Sequence, residues 1–264
     1  MKELIEGIRR FQSNVFATRR SHFERLARGQ RPHTLFITCS DSRIDPAMLT
    51  QSEPGNLFVL RNAGNIIPSH GIPTGEEATI EYAVDGLGVR DIVICGHSHC
   101  GAVKGLLNPR EVEWLPAVGR WLEHAQEVRR IVRENHGHLK GDRLVWAAVR
   151  ENVLVQVGHL STLPAVASRL VRGDLRIHAW VYTIESGEIF AFNHDRNGFF
   201  PIHSGRCVPI LRPIRRRLRT QLDRLWTPEA GSQVFLQTGR NVIEECSKSG
   251  LRNCQEPEAR DTYV

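Results

Sequence analysis

Three short runs of β-forming residues constrain this chain more than any other feature: 34–38 (TLFIT), 56–60 (NLFVL) and 91–95 (DIVIC). Each is largely apolar instead of alternating, as expected of strands covered on both faces. Between the second and third, Thr74 and Gly75 open a helical pattern in which Ile80, Ala83, Val84 and Leu87 form one apolar stripe. Longer helical patterns follow at 117–135 and 144–171, with Pro164 expected to bend or interrupt the second. A last pair of strands is predicted at 177–184 and 188–192, joined by the turn Glu185-Ser186-Gly187. Short apolar strands alternating with helices define an α/β domain, a mainly parallel central sheet flanked by helices. Its ligands are expected at the carboxyl ends of the strands.

Ahead of the first strand, residues 1–28 read as an amphipathic helical arm. Leu4, Ile5, Ile8, Phe11, Val15 and Phe16 fall near one face, and Gly29 stops the helix. The domain proper is expected to span 1–204. Beyond it, 205–264 differ in texture: Leu211, Ile214, Leu218, Leu222 and Leu225 would line one face of an Arg-rich helix, with Pro228 past its end. From about residue 245 the chain is polar and expected to fray. The net charge is +6, and within 201–225 seven arginines against the single acid Asp223 account for all of it. The basicity is therefore local, and without interleaved aromatics it does not read as a nucleic-acid surface.

No apolar run approaches the roughly 18 residues of a membrane span. The first residues, MKELIEGIRRFQSNVF, interrupt their apolar positions with charge, unlike a signal peptide. A soluble, cytoplasmic protein is the expectation. At 264 residues, 41% of them hydrophobic, the chain buries a core without disulfide help. Its six cysteines then read as metal ligands, nucleophiles or core residues rather than a disulfide framework.

The first strand runs into Cys39-Ser40-Asp41-Ser42-Arg43, and the third into Gly96-His97-Ser98-His99-Cys100-Gly101. Cys39, His97 and Cys100 make a Cys₂His set, and three protein ligands with one open position is how zinc is held for catalysis. Other readings stand beside it. Cys and His next to buried strands are often core residues, and Cys39 with His97 or His99 would serve as nucleophile and base. A Cys-x₅-Arg phosphatase loop is excluded because position 45 is Asp45. Asp41 and Arg43 make either a working dyad or a plain ion pair. Cys95 reads as a buried strand thiol, and His99 as a solvated or supporting residue.

These motifs, with EPG-x-LFV-x-RNAGN at 53–65, TGEEATIEYAV at 74–84, CGHSHCGAVKGLL at 95–107 and HAWVYTIESGEI at 178–189, resemble the β-class carbonic anhydrases over roughly 1–195. The resemblance implies that fold and one Zn²⁺ per chain, ligated by Cys39, His97 and Cys100, with water or hydroxide in fourth place. It implies reversible hydration of CO₂ to bicarbonate and a proton, by attack of zinc-bound hydroxide oriented by the dyad Asp41 and Arg43. Gln30, given across a dimer interface in relatives, matches a substrate-side amide donor. Phe58, Ala63 and Tyr82 fall where relatives line the apolar CO₂ pocket, and Gly101 matches a glycine beside the metal. A homodimer, or a multiple of dimers, is implied.

Two thiolates cancel the zinc charge, so a bound water is expected to be less acidic than on a neutral His₃ site. Asp41 can accept a hydrogen bond from the nucleophile, and the rigid fork of Arg43 can hold that carboxylate off the metal. His33, His70 and His99 are candidate proton shuttles. Some relatives close the site through a second bicarbonate pocket that includes a tryptophan three residues before the first Cys. Here that residue is Phe36, although Arg61 and Tyr182 match, so a permanently open site is expected. Thr183 stands where many relatives carry Asp.

The wording LIEGIRRF and CGHSHCGAVKGLL, and the placement of the extension, are similar to the cyanobacterial, carboxysomal-type branch. That is consistent with a cytoplasmic enzyme inside a carboxysome. The extension itself carries no matching motif, and its Arg-rich helix could pack on the body, bind an acidic scaffold or shell protein, or form a solvated face, the last being the default. Two rival functions remain at this stage: hydrolysis of carbonyl sulfide or carbon disulfide on the same site, and a catalytically retired, scaffold-binding homologue. The intact ligands and dyad argue against the second.

Overall fold

The computed structural model describes residues 1–202 and 209–211, all within one compact unit, Met1–Ile214. The arm forms α1 (Lys2–Arg10) and α2 (Arg20–Leu26). There follow β1 (Thr34–Cys39), α3 (Pro46–Thr50), β2 (Leu57–Asn62), α4 (Gly75–Glu81), β3 (Asp91–His97) and α5 (Gly101–Leu107). Next come α6 (Pro116–Leu122), α7 (Gln126–His136), α8 (Gly141–Thr162) and α9 (Pro164–Arg172), then β4 (Arg176–Tyr182), β5 (Ile189–Asn193) and β6 (Gly198–Pro201). The six strands make one sheet in the order β2-β1-β3-β4-β5-β6. Its first four strands are parallel and the last two antiparallel, the mainly parallel α/β sheet expected from the sequence.

Successive strand residues point to opposite faces, and both faces are covered. Leu35, Ile37, Ile92, Ile94, Ile177 and Ala179 face the main core, where α8 contributes Ala148, Val149, Val153, Val157 and Leu160. Phe36, Val93 and Cys95 face the other way, into a smaller cluster with Ile44, Trp180 and Tyr182. Gly96 lets α8 come close to β3: a Cβ there would lie 2.8 Å from Val153 Cγ2 and 3.0 Å from Val149 Cγ1. From β1 the chain crosses to one side to form β2 and to the other to form β3, so the strand order reverses around β1. In such sheets the crevice beyond the carboxyl ends at the reversal is where ligands bind. Cys39 ends β1 and His97 ends β3.

Several boundaries differ from the expectations. The arm is not one helix. A π-helical stretch, Phe11–Phe16, follows α1, and Arg19 leaves helical geometry (φ −123°, ψ 21°) before α2. The Ser13 hydroxyl bonds to the Arg9 carbonyl (3.0 Å) and that of Thr18 to the Asn14 carbonyl (2.6 Å), hydroxyls that compete with the helical ladder. The pattern at 117–135 divides into α6, a 3₁₀ turn at Glu123–Ala125, and α7. The long pattern at 144–171 is interrupted where Pro164 predicts, with Leu163 extended (φ −67°, ψ 129°) and Pro164 opening α9. Strand β6 was not foreseen; it is four residues long and ends in Pro201.

Strand β5 pairs with β4 only over Trp180–Tyr182. The free edge of β4 at Ile177 is taken instead by Ile210, whose amide donates to the Ile177 carbonyl (2.8 Å), and by an antiparallel bridge to Leu211. Leu211 is thus extended and pinned to the sheet, not the first apolar position of a helix. Ile214, Leu218, Leu222, Leu225, Pro228 and the polar end lie outside the described residues.

Candidate metal centre

Beyond the carboxyl ends of β1 and β3, Cys39, His97 and Cys100 meet with their ligand atoms all within 4.8 Å of one another, and all three are buried. Among the described residues no other group of three or more His, Cys, Asp or Glu does so. The two sulfurs are 3.9 Å apart; on a tetrahedral zinc with Zn–S near 2.3 Å they would be about 3.8 Å apart. The histidine is prepared for the same task. Its Nδ1 lies 2.8 Å from the Ser98 carbonyl, an acceptor only, so Nδ1 carries the proton. Nε2 is left as a bare lone pair, fully buried and without a hydrogen-bond partner. A buried nitrogen facing two thiols with nothing to bind is costly, and a thiophilic cation relieves the cost. The donor set therefore fits zinc.

The thiols differ. Cys39 is driven toward thiolate by Cys100 beside it, against the opposing effect of burial, and further by the backbone amides of Gly64 and Asp41. Gly64 N–H lies 3.3 Å from the Cys39 sulfur. Cys100 is pushed the other way, because the neighbouring sulfur takes the charge first and burial disfavours a second. Cys95, on the far face, is pushed up to about 12 by burial, an inert strand thiol.

Asp41 is gripped from its own loop. Its Oδ1 accepts from Arg43 N–H (3.0 Å) and Nε (2.9 Å), and its Oδ2 from Arg43 Nη2 (2.7 Å). That fork, opposed by some burial, holds the carboxyl well below the usual carboxylate range. Oδ2 also lies 3.8 Å from His97 Nε2, so the carboxylate looks onto the place where the three donors point. Arg43 in turn donates to the carbonyl of His99 (3.3 Å), linking the two ligand loops.

The remaining sequence-predicted residues divide between two edges of the sheet. Ala63 and Gly101 are at the site: Ala63 opens the turn whose next residue donates to Cys39, and Gly101 follows Cys100 to start α5. Gln30, Phe58 and Tyr82 are not. Gln30 is exposed before the amino end of β1, about 17 Å of strand from Cys39. Phe58 pairs in register with Leu35 near that same end, and the Tyr82 ring packs on it at 5.9 Å, 52% exposed. Of the shuttle candidates, His33 is also at the amino edge, where its carbonyl accepts from Arg90, and exposed His70 pairs with Glu77 (3.0 Å). His99 lies between two ligands in a left-handed conformation (φ 55°), its Nε2 3.1 Å from Glu185.

Three features escaped the sequence. Arg61 donates to the carbonyls of Cys39 (3.1 Å), Asp41 (2.8 Å) and Ile44 (2.9 Å), bracing the whole first ligand loop. Ser98 is locked between Glu185 (2.7 Å) and the Ile184 amide (3.0 Å). Trp121 Nε1 donates to the Ala63 carbonyl (2.8 Å). Arg61 stood out in the sequence only as a match to a pocket residue of relatives, not for this bracing; for the other two no local signal exists.

A sheet of this topology with a Cys₂His set at its reversal point defines a metalloenzyme class, and the comparisons name it. The carbonic anhydrase family profile matches residues 34–189, and the chain belongs to that family, in its β class. It is 52% identical over 200 residues to a carbonic anhydrase of Synechocystis sp., covering 74% of this chain and 73% of that one. Among solved structures, the β-carbonic anhydrase CcaA is 50% identical, with a TM-score of 0.75 over 76% of this chain and 99% of that chain. A tetrameric β-carbonic anhydrase of the ascomycete Sordaria macrospora is 30% identical, with a TM-score of 0.60 over 73% and 93%. The chain is thus an enzyme, a carbonic anhydrase by family, identity and fold. Among the described residues no helix is long and apolar enough to cross a membrane.

Proposed function

We propose that this chain hydrates CO₂ reversibly to bicarbonate and a proton at one zinc per chain, held by Cys39, His97 and Cys100. The observation that carries the reading is the bare, buried Nε2 of His97 facing two thiols. Zinc bound there would acidify a water and so supply a nucleophile at neutral pH. The chain's own residues do the rest. Asp41, kept ionised by Arg43, is an acceptor and not an acid at working pH; it takes the nucleophile's hydrogen bond through Oδ2 and leaves a lone pair for CO₂. Arg43 holds both carboxylate oxygens, so Asp41 stays off the metal. Ala63 and Gly101 border the reacting space.

The reading includes a second copy of the chain. Gln30, Phe58 and half-exposed Tyr82 sit on the edge away from their own ligands, so they would line the CO₂ pocket of a partner. The apolar face of α1, with Leu4, Ile5 and Ile8 exposed, suits burial in a dimer or a multiple of dimers, and the Sordaria relative is tetrameric. The wording shared with the cyanobacterial, carboxysomal-type branch (LIEGIRRF, CGHSHCGAVKGLL) supports a cytoplasmic protein housed in a carboxysome, with an acidic scaffold or shell protein as the partner its Arg-rich segment would suit.

The test is stopped-flow CO₂ hydration on protein whose zinc has been counted, at pH 7 and pH 8.5. Fast hydration, stronger at pH 8.5, is expected. Zinc near one per chain with carbonyl sulfide turned over and CO₂ ignored would replace the substrate; zinc without turnover of either gas would mean a retired site.

A further inference from the structure

The turn that follows β2 is held by side chains from three separate elements. Asn62 bonds both the amide (2.9 Å) and the carbonyl (2.8 Å) of Ile66. From α8, buried Asn152 donates to the Gly64 carbonyl (2.9 Å), buried Gln156 accepts from the Ile67 amide (2.8 Å), and His159 bonds the Ile67 carbonyl (2.7 Å). From α6, the Trp121 indole donates to the Ala63 carbonyl (2.8 Å). Side chains spread from 62 to 159 thus converge on the turn beside Cys39.

The Trp121 bond differs in kind from the others. The carbonyl of Ala63 and the N–H of Gly64 belong to one planar trans peptide, so they point in opposite directions. With the oxygen fixed by Trp121, the N–H is aimed at the Cys39 sulfur, 3.3 Å away. The chain indole N–H, peptide, sulfur runs through a single polarisable unit, and each hydrogen bond strengthens the next. Gly64 makes the arrangement sterically feasible: its φ is +83°, and a Cβ would lie 3.0 Å from Ala102 Cβ.

We propose that Trp121 is a positioning residue of the metal centre. Acting through the Ala63–Gly64 peptide, it sets how strongly the Cys39 sulfur donates to the bound metal. The inference rests on the zinc reading above. An N–H donated to a thiolate withdraws charge from the sulfur. In a site with two thiolates, which already dull the metal as a Lewis acid, that withdrawal restores some of its pull on a bound water. Outer partners of this kind tune metals in general.

The experiment compares wild type, Trp121→Phe, Asn152→Leu and Leu160→Ala, each loaded with zinc and, separately, with cobalt(II). Trp121→Phe keeps an aromatic ring and removes one donor. Asn152→Leu frees the next carbonyl of the turn. Leu160→Ala, buried on α8, opens a core cavity while removing no side-chain hydrogen bond to the turn, and controls for lost stability. Three readings are taken: the thiolate-to-cobalt charge-transfer absorption, metal retention against a chelator, and the pH midpoint of CO₂ hydration. For Trp121→Phe the absorption moves to longer wavelength and the pH midpoint rises, while retention does not weaken, because the sulfur donates more strongly to the metal. Asn152→Leu, whose lost bond is to the Gly64–Asn65 peptide, leaves the absorption and midpoint near wild type; if Trp121→Phe does not fold, Trp121→Leu is read in its place. Leu160→Ala moves none of them. Unmoved absorption and midpoint in a metal-loaded Trp121→Phe, or equal movement in Leu160→Ala, overturns this inference alone. No cobalt uptake by wild type overturns the metal reading, and this one with it.

Discussion

Replacing Arg61 by Met tests whether the first ligand loop is braced by a guanidinium or merely by its neighbours. The side chain makes three hydrogen bonds to carbonyls, at Cys39 (3.1 Å), Asp41 (2.8 Å) and Ile44 (2.9 Å). Methionine keeps most of the stem and removes every donor. At about 1 kcal/mol net per bond the ceiling is about 3 kcal/mol. Arg61 is an exposed residue, so water takes over part of the loss, at the Asp41 carbonyl above all, and about 2 kcal/mol remains. For a body of this size that lowers Tm by about 4–8 °C. Hydration should fall further than stability suggests, by about 10- to 100-fold, because a shift near 1 Å in Asp41 spoils the alignment of the nucleophile. Zinc should stay bound, since none of its donors is removed. Arg61→Lys should rescue little: an ammonium is a point donor and cannot reach three carbonyls as a planar fork does. The assay is thermal unfolding and stopped-flow hydration on zinc-counted protein. If Arg61→Met unfolds within 1 °C of wild type, by the same conversion, and hydrates CO₂ at the wild-type rate, the bracing argument is wrong. Arg61 would then be free for an anion pocket of the kind the sequence resemblance implied.

Three other outcomes follow from the same geometry. Cys39→Ser should lose zinc, measured by metal analysis, because a hydroxyl is not deprotonated where the thiol is favoured as thiolate; retention of one zinc per chain would refute the ligand assignment. Asp41→Asn should keep zinc and lose hydration by about 100-fold, and full activity in that variant would sink the dyad. Asp91 joins β3 to β4 through Arg176 (2.8 and 2.5 Å) and His178 (2.8 Å). Burial opposes its ionisation, yet these two partners leave its carboxyl below the usual range. A depressed folded value means the stabilisation is present above the unfolded value near 3.9 and is lost as pH falls through the folded one. Asp91→Asn should therefore cost about 1–2 kcal/mol in urea unfolding at pH 7, with the gap to wild type closing below about pH 4; a gap that widens with acid would contradict the sign.

The parts of the site that could be read in the sequence are those where the chemistry is continuous with a strand. TLFIT leads straight into Cys39 and DIVIC into His97, so the pattern that predicts a buried parallel strand also places its carboxyl end. Local capping chemistry was equally open to reading: Thr74 accepts from the Glu77 amide (3.2 Å) at the start of α4, where the sequence opens a helix. What stayed hidden depends on contacts across 58 to 89 residues: the Trp121 bond to Ala63, the Asn152 bond to Gly64, the Gln156 bond to Ile67. Nothing local distinguishes Trp121 from exposed Trp114 in the same region. The amides on α8 carry the only sequence trace of such an arrangement. Asn152 and Gln156 are one helical turn apart among apolar neighbours, they bond to each other (3.0 Å), and both are buried. Buried amides are retained only where they have partners, so two of them in register on a core-facing helix imply an irregular backbone segment lying against it. Here that segment is the turn which presents Gly64 to the Cys39 sulfur, and the apparent interruption in the core of α8 is what allows a loop, and not another helix, to be buried beside the metal ligands.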